Sequence, residues 1–107
     1  MKSRPRKSKS TGKPNRQPVG VRIIGGRLRG SALAYSGEMR TRPMKDRLRE
    51  AIFNLVGPAV KGLHAIDLFA GTGALGIEAI SRGASRATLI ERHFPTANLI
   101  RRSIAEL

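Results

Sequence analysis

The sequence predicts an α/β protein: the first part of a doubly wound, mostly parallel sheet, preceded by a basic arm and a β-hairpin. Three observations carry that expectation. An apolar run of strand length, "HAIDLF" from His64, ends on a loop with glycines at 71, 73 and 76. A helical stretch from about Ala74 to Ser81 follows and stops at Arg82-Gly83. A second strand-length run, "RATLIE", closes at Glu91. Strand, glycine loop, helix and strand in that order form a βαβ unit, whose two strands are parallel.

The remaining elements follow from local chemistry. Residues 1–18, "MKSRPRKSKSTGKPNRQP", hold seven basic residues and no large apolar one after Met1. Nothing there offsets the entropy of folding, so the arm is expected to be disordered until it binds something. Residues 19–40 are expected to form a β-hairpin, with Gly25-Gly26 as a tight turn between Gly20–Ile24 and Arg27–Ala34. Its Arg22, Arg27 and Arg29 alternate with the apolar Val21, Ile23 and Leu28, which places the guanidinium groups on a separate face. Residues 41–107 are expected to be the N-terminal part of a Rossmann-like domain. Its first helix carries Leu48, Ile52, Leu55 and Val56 as a buried stripe and ends at Gly57-Pro58. Its last helix, in "FPTANLIRRSIAEL", accepts Pro95 in its first turn and lines up Ala97, Ile100, Ile104 and Leu107. Two parallel strands leave sheet faces uncovered, and a doubly wound sheet has about five or more strands. These residues are therefore expected to belong to a longer domain.

Charge narrows the partner. Of 107 residues, 21 are Lys or Arg and 7 are Asp or Glu, for a formal net charge of +14. Residues 1–49 hold 15 of the basic residues and only Glu38 and Asp46 against them. Such an asymmetry attracts a polyanion, because each neutralised phosphate releases condensed counterions, and nucleic acid is the expected partner. A solubilising tail and a transit peptide are the alternatives, and prolines 5, 14 and 18 oppose the amphipathic helix a transit peptide needs. There is no cysteine, and the two histidines, His64 and His93, have no third ligand in phase, so no metal is expected. With neither an apolar span nor a secretory h-region, a cytoplasmic protein is expected.

The glycine spacing admits two nucleotides. A dinucleotide fingerprint asks for G-x-G-x-x-G after a strand and an acid about 20 residues on, and Gly71, Gly73, Gly76 and Glu91 satisfy it. Asp67 separates the readings. A carboxylate at the strand end repels a pyrophosphate, whereas S-adenosylmethionine has no phosphate and offers an ammonium whose hydrogen bond this group can accept. Glu91 is expected to accept the ribose hydroxyls. A dinucleotide enzyme stays open as the rival.

"DLFAGTGALGIEA" closely resembles motif I of class I S-adenosylmethionine-dependent methyltransferases. "RIIGGRLRG" followed by "TRPMKDRLREAIFN" resembles the start of the bacterial small-subunit ribosomal RNA guanine-N2 methyltransferase family, the RsmD type. The resemblance runs from Val21 to about Glu91. It implies S-adenosylmethionine as cofactor, held by Asp67, Phe69, Ala70, Gly71, Thr72, Gly73 and Glu91. It implies ribosomal RNA, naked or in an assembling small subunit, as partner, met by Arg22, Arg27 and Arg29 of the hairpin and by Arg40, Arg42 and Lys45. A monomer is expected at full length.

One departure matters. The family's catalytic tetrapeptide, Asn or Asp followed by Pro-Pro and an aromatic residue, is not found in these 107 residues. No catalytic residue is therefore assigned, and the chain is expected to be the cofactor-binding half. Asp46, Glu50 and Glu78 are expected to be solvated or ion-paired surface acids, and His64 and His93 strand-edge and loop residues. A non-catalytic RNA-binding fragment and a DNA adenine methyltransferase remain as alternatives.

Overall fold

The structure is a computed structural model that describes residues 20–35, 37 and 45–107. The expected arm at 1–18 lies outside the described residues, as do Arg40 and Arg42. The chain runs β1 (Val21–Arg22), β2 (Ala32–Leu33), α1 (Asp46–Val56), a 3-10 turn (Gly57–Val60), β3 (His64–Asp67), α2 (Ala74–Ser81), β4 (Arg86–Leu89) and α3 (Phe94–Ala105). β3 and β4 are parallel, His64 opposite Arg86 and Asp67 opposite Leu89. With α2 between them in sequence, they form the expected βαβ unit of an α/β fold. No helix among the described residues is long and apolar enough to cross a membrane.

Glycine sets how closely this unit packs. Gly76 lies in the first turn of α2, and a Cβ there would stand 2.9 Å from Leu89 Cδ1 and Cγ. Helix and strand approach as closely as they do because position 76 has no side chain. Ala65, Asp67, Ala87 and Leu89 are half-buried on one side of the sheet. His64, Ile66, Arg86 and Thr88 alternate with them and are exposed.

The first hairpin differs from expectation. Val21 pairs with Leu33 and Arg22 with Ala32 in antiparallel register, but Gly25-Gly26 is not a two-residue turn. The chain reverses further on, where Arg29 N–H donates to the Gly26 carbonyl and Gly30 N–H to the Ile23 carbonyl. The glycines serve a close approach instead. Gly26 has φ +77°, and a Cβ on it would sit 1.9 Å from the Ser81 carbonyl oxygen at the end of α2.

α1 also turns a different face inward. Leu48, Leu55 and Val56 are exposed, Leu55 to 89%, and Ile52 is half-buried, while Arg49 and Phe53 are buried. The reason is electrostatic. Arg49 Nε donates to Glu78 Oε1 at 3.0 Å with both side chains wholly buried, and Phe53, one turn on, follows it to the same side. α3 is tilted likewise: Thr96, Ile100 and Ser103 are buried, Ala97 is half-buried, and Ile104 and Leu107 are exposed. Ser103 Oγ accepts the Ala34 N–H at 2.8 Å, so this polar residue faces the hairpin.

Two apolar clusters meet on α2. Val21, Ile23, Leu33, Ala74 and Ile77 form one, and Phe53, Val60, Ala79 and Ala84 the other. Glu78 joins the elements around them. Oε1 accepts Ile24 N–H and Arg49, and Oε2 accepts Gly25 N–H and Arg82. Arg49 also donates to the Arg22 carbonyl, and the Arg82 guanidinium lies 5.2 Å from the Phe53 ring centroid. The expectation of a surface Glu78 is corrected: it is ion-paired but fully buried, because four donors replace its water.

Burial raises the Glu78 pKa, but the Ile24 amide, Arg82, the Gly25 amide and Arg49 outweigh it and leave the group below its ordinary 4.5. A depressed carboxylate contributes stability that is present above 4.5 and lost as pH falls through the lower folded value. Glu78→Ala strands a buried guanidinium and two amides, so urea denaturation at neutral pH is expected to show a loss of about 3–5 kcal/mol. The acid-sensitive part of the unfolding profile should shrink in Glu78→Gln. A loss under about 1 kcal/mol for Glu78→Ala would show that the pair is no stronger than a surface one.

Candidate functional site

The site is built where β3 runs out. Asp67 is its last residue, and its carbonyl accepts Ile90 N–H at 2.9 Å, while Ala70 N–H returns to the Ile90 carbonyl at 3.0 Å. The loop therefore tracks the end of β4. Gly73 N–H donates to the Ala70 carbonyl at 2.7 Å, a turn that needs Gly71 at φ +55° and Gly73 at φ +83°. Only glycine enters that left-handed region without strain. Gly73 caps α2, and the Ile77 N–H donates to its carbonyl. The loop thus hands the chain directly to a helix N-terminus, whose amides and dipole favour an anion such as a carboxylate.

Two carboxylates face this loop. Glu91 Oε1 accepts Gly71 N–H and Oε2 accepts His93 N–H, both at 3.0 Å. The His93 amide, the Gly71 amide and the nearby His93 and Arg92 charges lower its pKa against a burial penalty. It stays ionised and pins the loop to the residue after β4. Each oxygen has a second lone pair for another donor. Asp67 is the opposite case. Burial raises its pKa above 3.8, the Gly76 and Phe69 amides pull it down less, and the Glu91 charge pushes it up again. Among the described residues, its Oδ2 is the buried side-chain oxygen without a hydrogen-bond partner. A buried acceptor left open is costly, and a cationic donor would relieve it.

The expected cofactor residues therefore converge: Asp67, Ala70, Gly71, Thr72, Gly73 and Glu91 lie at one end of the parallel sheet. Phe69 is 91% exposed. Thr72 is buried and its Oγ1 accepts Ala74 N–H at 3.3 Å. Of the basic residues expected to meet RNA, the described ones, Arg22, Arg27, Arg29 and Lys45, form no part of that cluster. Arg22, Arg27 and Arg29 are exposed on the hairpin and its turn, Arg22 lying along it with a 2.7 Å bond to the Gly30 carbonyl. Lys45 is exposed at the N-cap of α1. His64 Nε2 pairs with Thr88 Oγ1 and His93 Nδ1 with Thr96 Oγ1, each at 2.7 Å, which keeps both in local structure. Sequence reasoning missed Arg49, Ser81 and Arg82. The available signal was polar Glu78, Ser81 and Arg82 at i, i+3 and i+4 inside an otherwise apolar helix.

Comparison with known proteins supplies an independent view. The family described as "Conserved hypothetical protein 95" matches residues 21–107. Ribosomal RNA small subunit methyltransferase D of Escherichia coli K12 is 43% identical over 96 residues, 89% of this chain and 48% of that protein. The protein of the same name in Haemophilus influenzae is 38% identical over 87 residues, 81% of this chain and 45% of that one. The solved structure of the putative methyltransferase yhhF from Escherichia coli matches with a TM-score of 0.73 at 40% identity, covering 81% of this chain and 46% of that one. A hypothetical protein of Thermus thermophilus matches with a TM-score of 0.69 at 38% identity, covering 79% of this chain and 48% of that one. The chain spans about half the length of these relatives.

The unsatisfied Asp67 makes its own prediction. A raised folded pKa means that the cost of the charge is absent below 3.8 and complete above the folded value. Asp67→Asn is therefore expected to raise the thermal midpoint at pH 7, with the gain fading as pH falls towards 3.8. A midpoint lowered at pH 7 would mean that the carboxylate is satisfied in the folded chain.

Proposed function

The chain belongs to the Conserved hypothetical protein 95 family, the RsmD type, and from that membership we propose that it carries the S-adenosylmethionine-binding part of a ribosomal RNA methyltransferase. The reaction proposed is transfer of the methyl group to N2 of a guanine in small-subunit RNA, in the cytoplasm. Residues 1–18 and 19–40 are assigned to RNA and 41–107 to the cofactor domain.

The observation that carries the cofactor reading is the open, buried Oδ2 of Asp67 beside a glycine loop. It fits an ammonium. A dinucleotide would bring its pyrophosphate to the same loop, against the charge of Asp67. In this reading Asp67 accepts a hydrogen bond from the methionyl ammonium, the loop from Phe69 to Gly73 lies against the cofactor through its backbone, and Glu91 accepts the ribose hydroxyls with its remaining lone pairs. When bound, S-adenosylmethionine supplies a methyl group made electrophilic by its sulfonium. The protein's part here is to hold that donor in one orientation, which is a large share of catalysis for a weak nucleophile such as an exocyclic amine.

RNA is assigned to the basic surface: Arg22, Arg27, Arg29 and Lys45, with Arg40 and Arg42 by sequence. The Asn/Asp-Pro-Pro-aromatic tetrapeptide that would position the guanine does not occur in these residues. Mixed with labelled cofactor and small-subunit RNA, this chain is therefore expected to bind both and transfer nothing, and methyl incorporation would overturn that account.

Calorimetry tests the cofactor. The chain is expected to take up S-adenosylmethionine and give no heat with NAD. Asp67→Ala should weaken the methyl donor about 10- to 100-fold, the worth of one hydrogen bond to a charged group. Uptake of NAD with indifference to S-adenosylmethionine would sink the reading. RNA affinity should fall steeply between low and physiological salt, and a flat response would remove RNA as the explanation of the charge.

A further inference from the structure

We infer that Ser81, seconded by Glu78, is a positioning residue for RNA: the end of α2 holds the 24–28 turn rigid so that Arg27 and Arg29 are presented to phosphates in a fixed arrangement. This rests on the RNA reading above and adds to it residues that touch neither ligand.

The turn is bound to α2 by main-chain groups at nearly every residue. Ile24 and Gly25 N–H donate to the two oxygens of Glu78 at 3.0 and 2.9 Å. Ser81 Oγ donates to the Gly25 carbonyl and accepts Leu28 N–H at 2.9 Å. The Ser81 carbonyl, one of the helix-terminal acceptors that α2 cannot satisfy internally, accepts Arg27 N–H at 2.9 Å. Gly26 fits only because it has no Cβ.

Side-chain exposure runs the other way. Arg27 and Arg29 are exposed while their main chain is clamped, and Arg22 on the neighbouring strand is folded along Gly30. A fixed backbone beneath exposed guanidinium groups lowers the ordering cost of binding. The apolar packing does not use the Ser81 bonds: Val21, Ile23 and Leu33 pack on Ala74 and Ile77 without any contribution from Ser81. A turn that had only to connect two strands would not need a buried hydroxyl with two partners.

The test measures binding of the full 107-residue chain to a fluorescein-labelled RNA stem-loop by anisotropy, at about 0.15 M salt. Four proteins are compared: the parent, Ser81→Ala, the pair Arg27→Ala with Arg29→Ala, and all three changes together. Ser81→Ala is expected to weaken RNA about three- to tenfold, and to add nothing once the two arginines are gone. S-adenosylmethionine affinity should hold in Ser81→Ala, because Ser81 lies at the far end of α2 from the glycine loop. Gly26→Ala is the second variant, expected to reproduce the RNA loss by pushing the turn off the Ser81 carbonyl, and it decides the matter should Ser81→Ala not fold. Unchanged RNA affinity in Ser81→Ala, or an equal loss with and without the arginines, overturns the positioning role while leaving the RNA reading intact. Unchanged affinity in the arginine pair overturns the turn as an RNA surface, and the positioning role falls with it.

Discussion

A single carboxylate, Glu78, fixes how the parts of this chain meet. It accepts two main-chain amides from the segment after β1, one guanidinium from α1 and one from Arg82 at the end of its own helix, and its own side chain is wholly buried. Removing four donors and a carboxylate from solvent is expensive, and the arrangement stands only when every partner is in place. Apolar contact is non-directional, whereas the Glu78 bonds specify which amides and which guanidinium groups meet α2.

α2 consequently has three duties along eight residues. Its N-terminus receives the glycine loop through Gly73, its buried side contributes Ala74 and Ile77 to one apolar cluster and Ala79 to the other, and its end grips the turn through Glu78 and Ser81. The closeness that Gly76 permits to Leu89 places this helix firmly on the sheet. The glycine loop and the arginine-bearing turn are thereby mounted on opposite ends of one helix.

How much of this could be read beforehand depends on how local the causes are. The β3, loop, α2 and β4 succession was legible, and α2 begins and ends where expected, because glycines at 71, 73 and 83 and the strand-length apolar runs act within a few residues of themselves. The convergence of Asp67, Gly71 and Glu91 followed from the same pattern. The buried face of α1 was not legible. Leu48, Leu55 and Val56 have the helical period, yet a partner 29 positions away in sequence drew Arg49 inward. Nor could spacing show that Gly25-Gly26 serves an approach to Ser81 and not a tight turn, since that depends on a contact with another element. Glu91 was expected as an acceptor awaiting a ligand, and both of its oxygens already hold main-chain amides as well.

The sheet's second side has a practical consequence. Ile66 is exposed on it, Leu63, Leu68 and Ile90 are exposed close by in sequence, and β3 hydrogen-bonds to β4 alone among the described residues. Unsaturated strand borders next to greasy side chains template strand-by-strand stacking. Concentrated without a covering partner, this polypeptide should self-associate through that face, opposed by the mutual repulsion of its +14 charge, which added salt would screen.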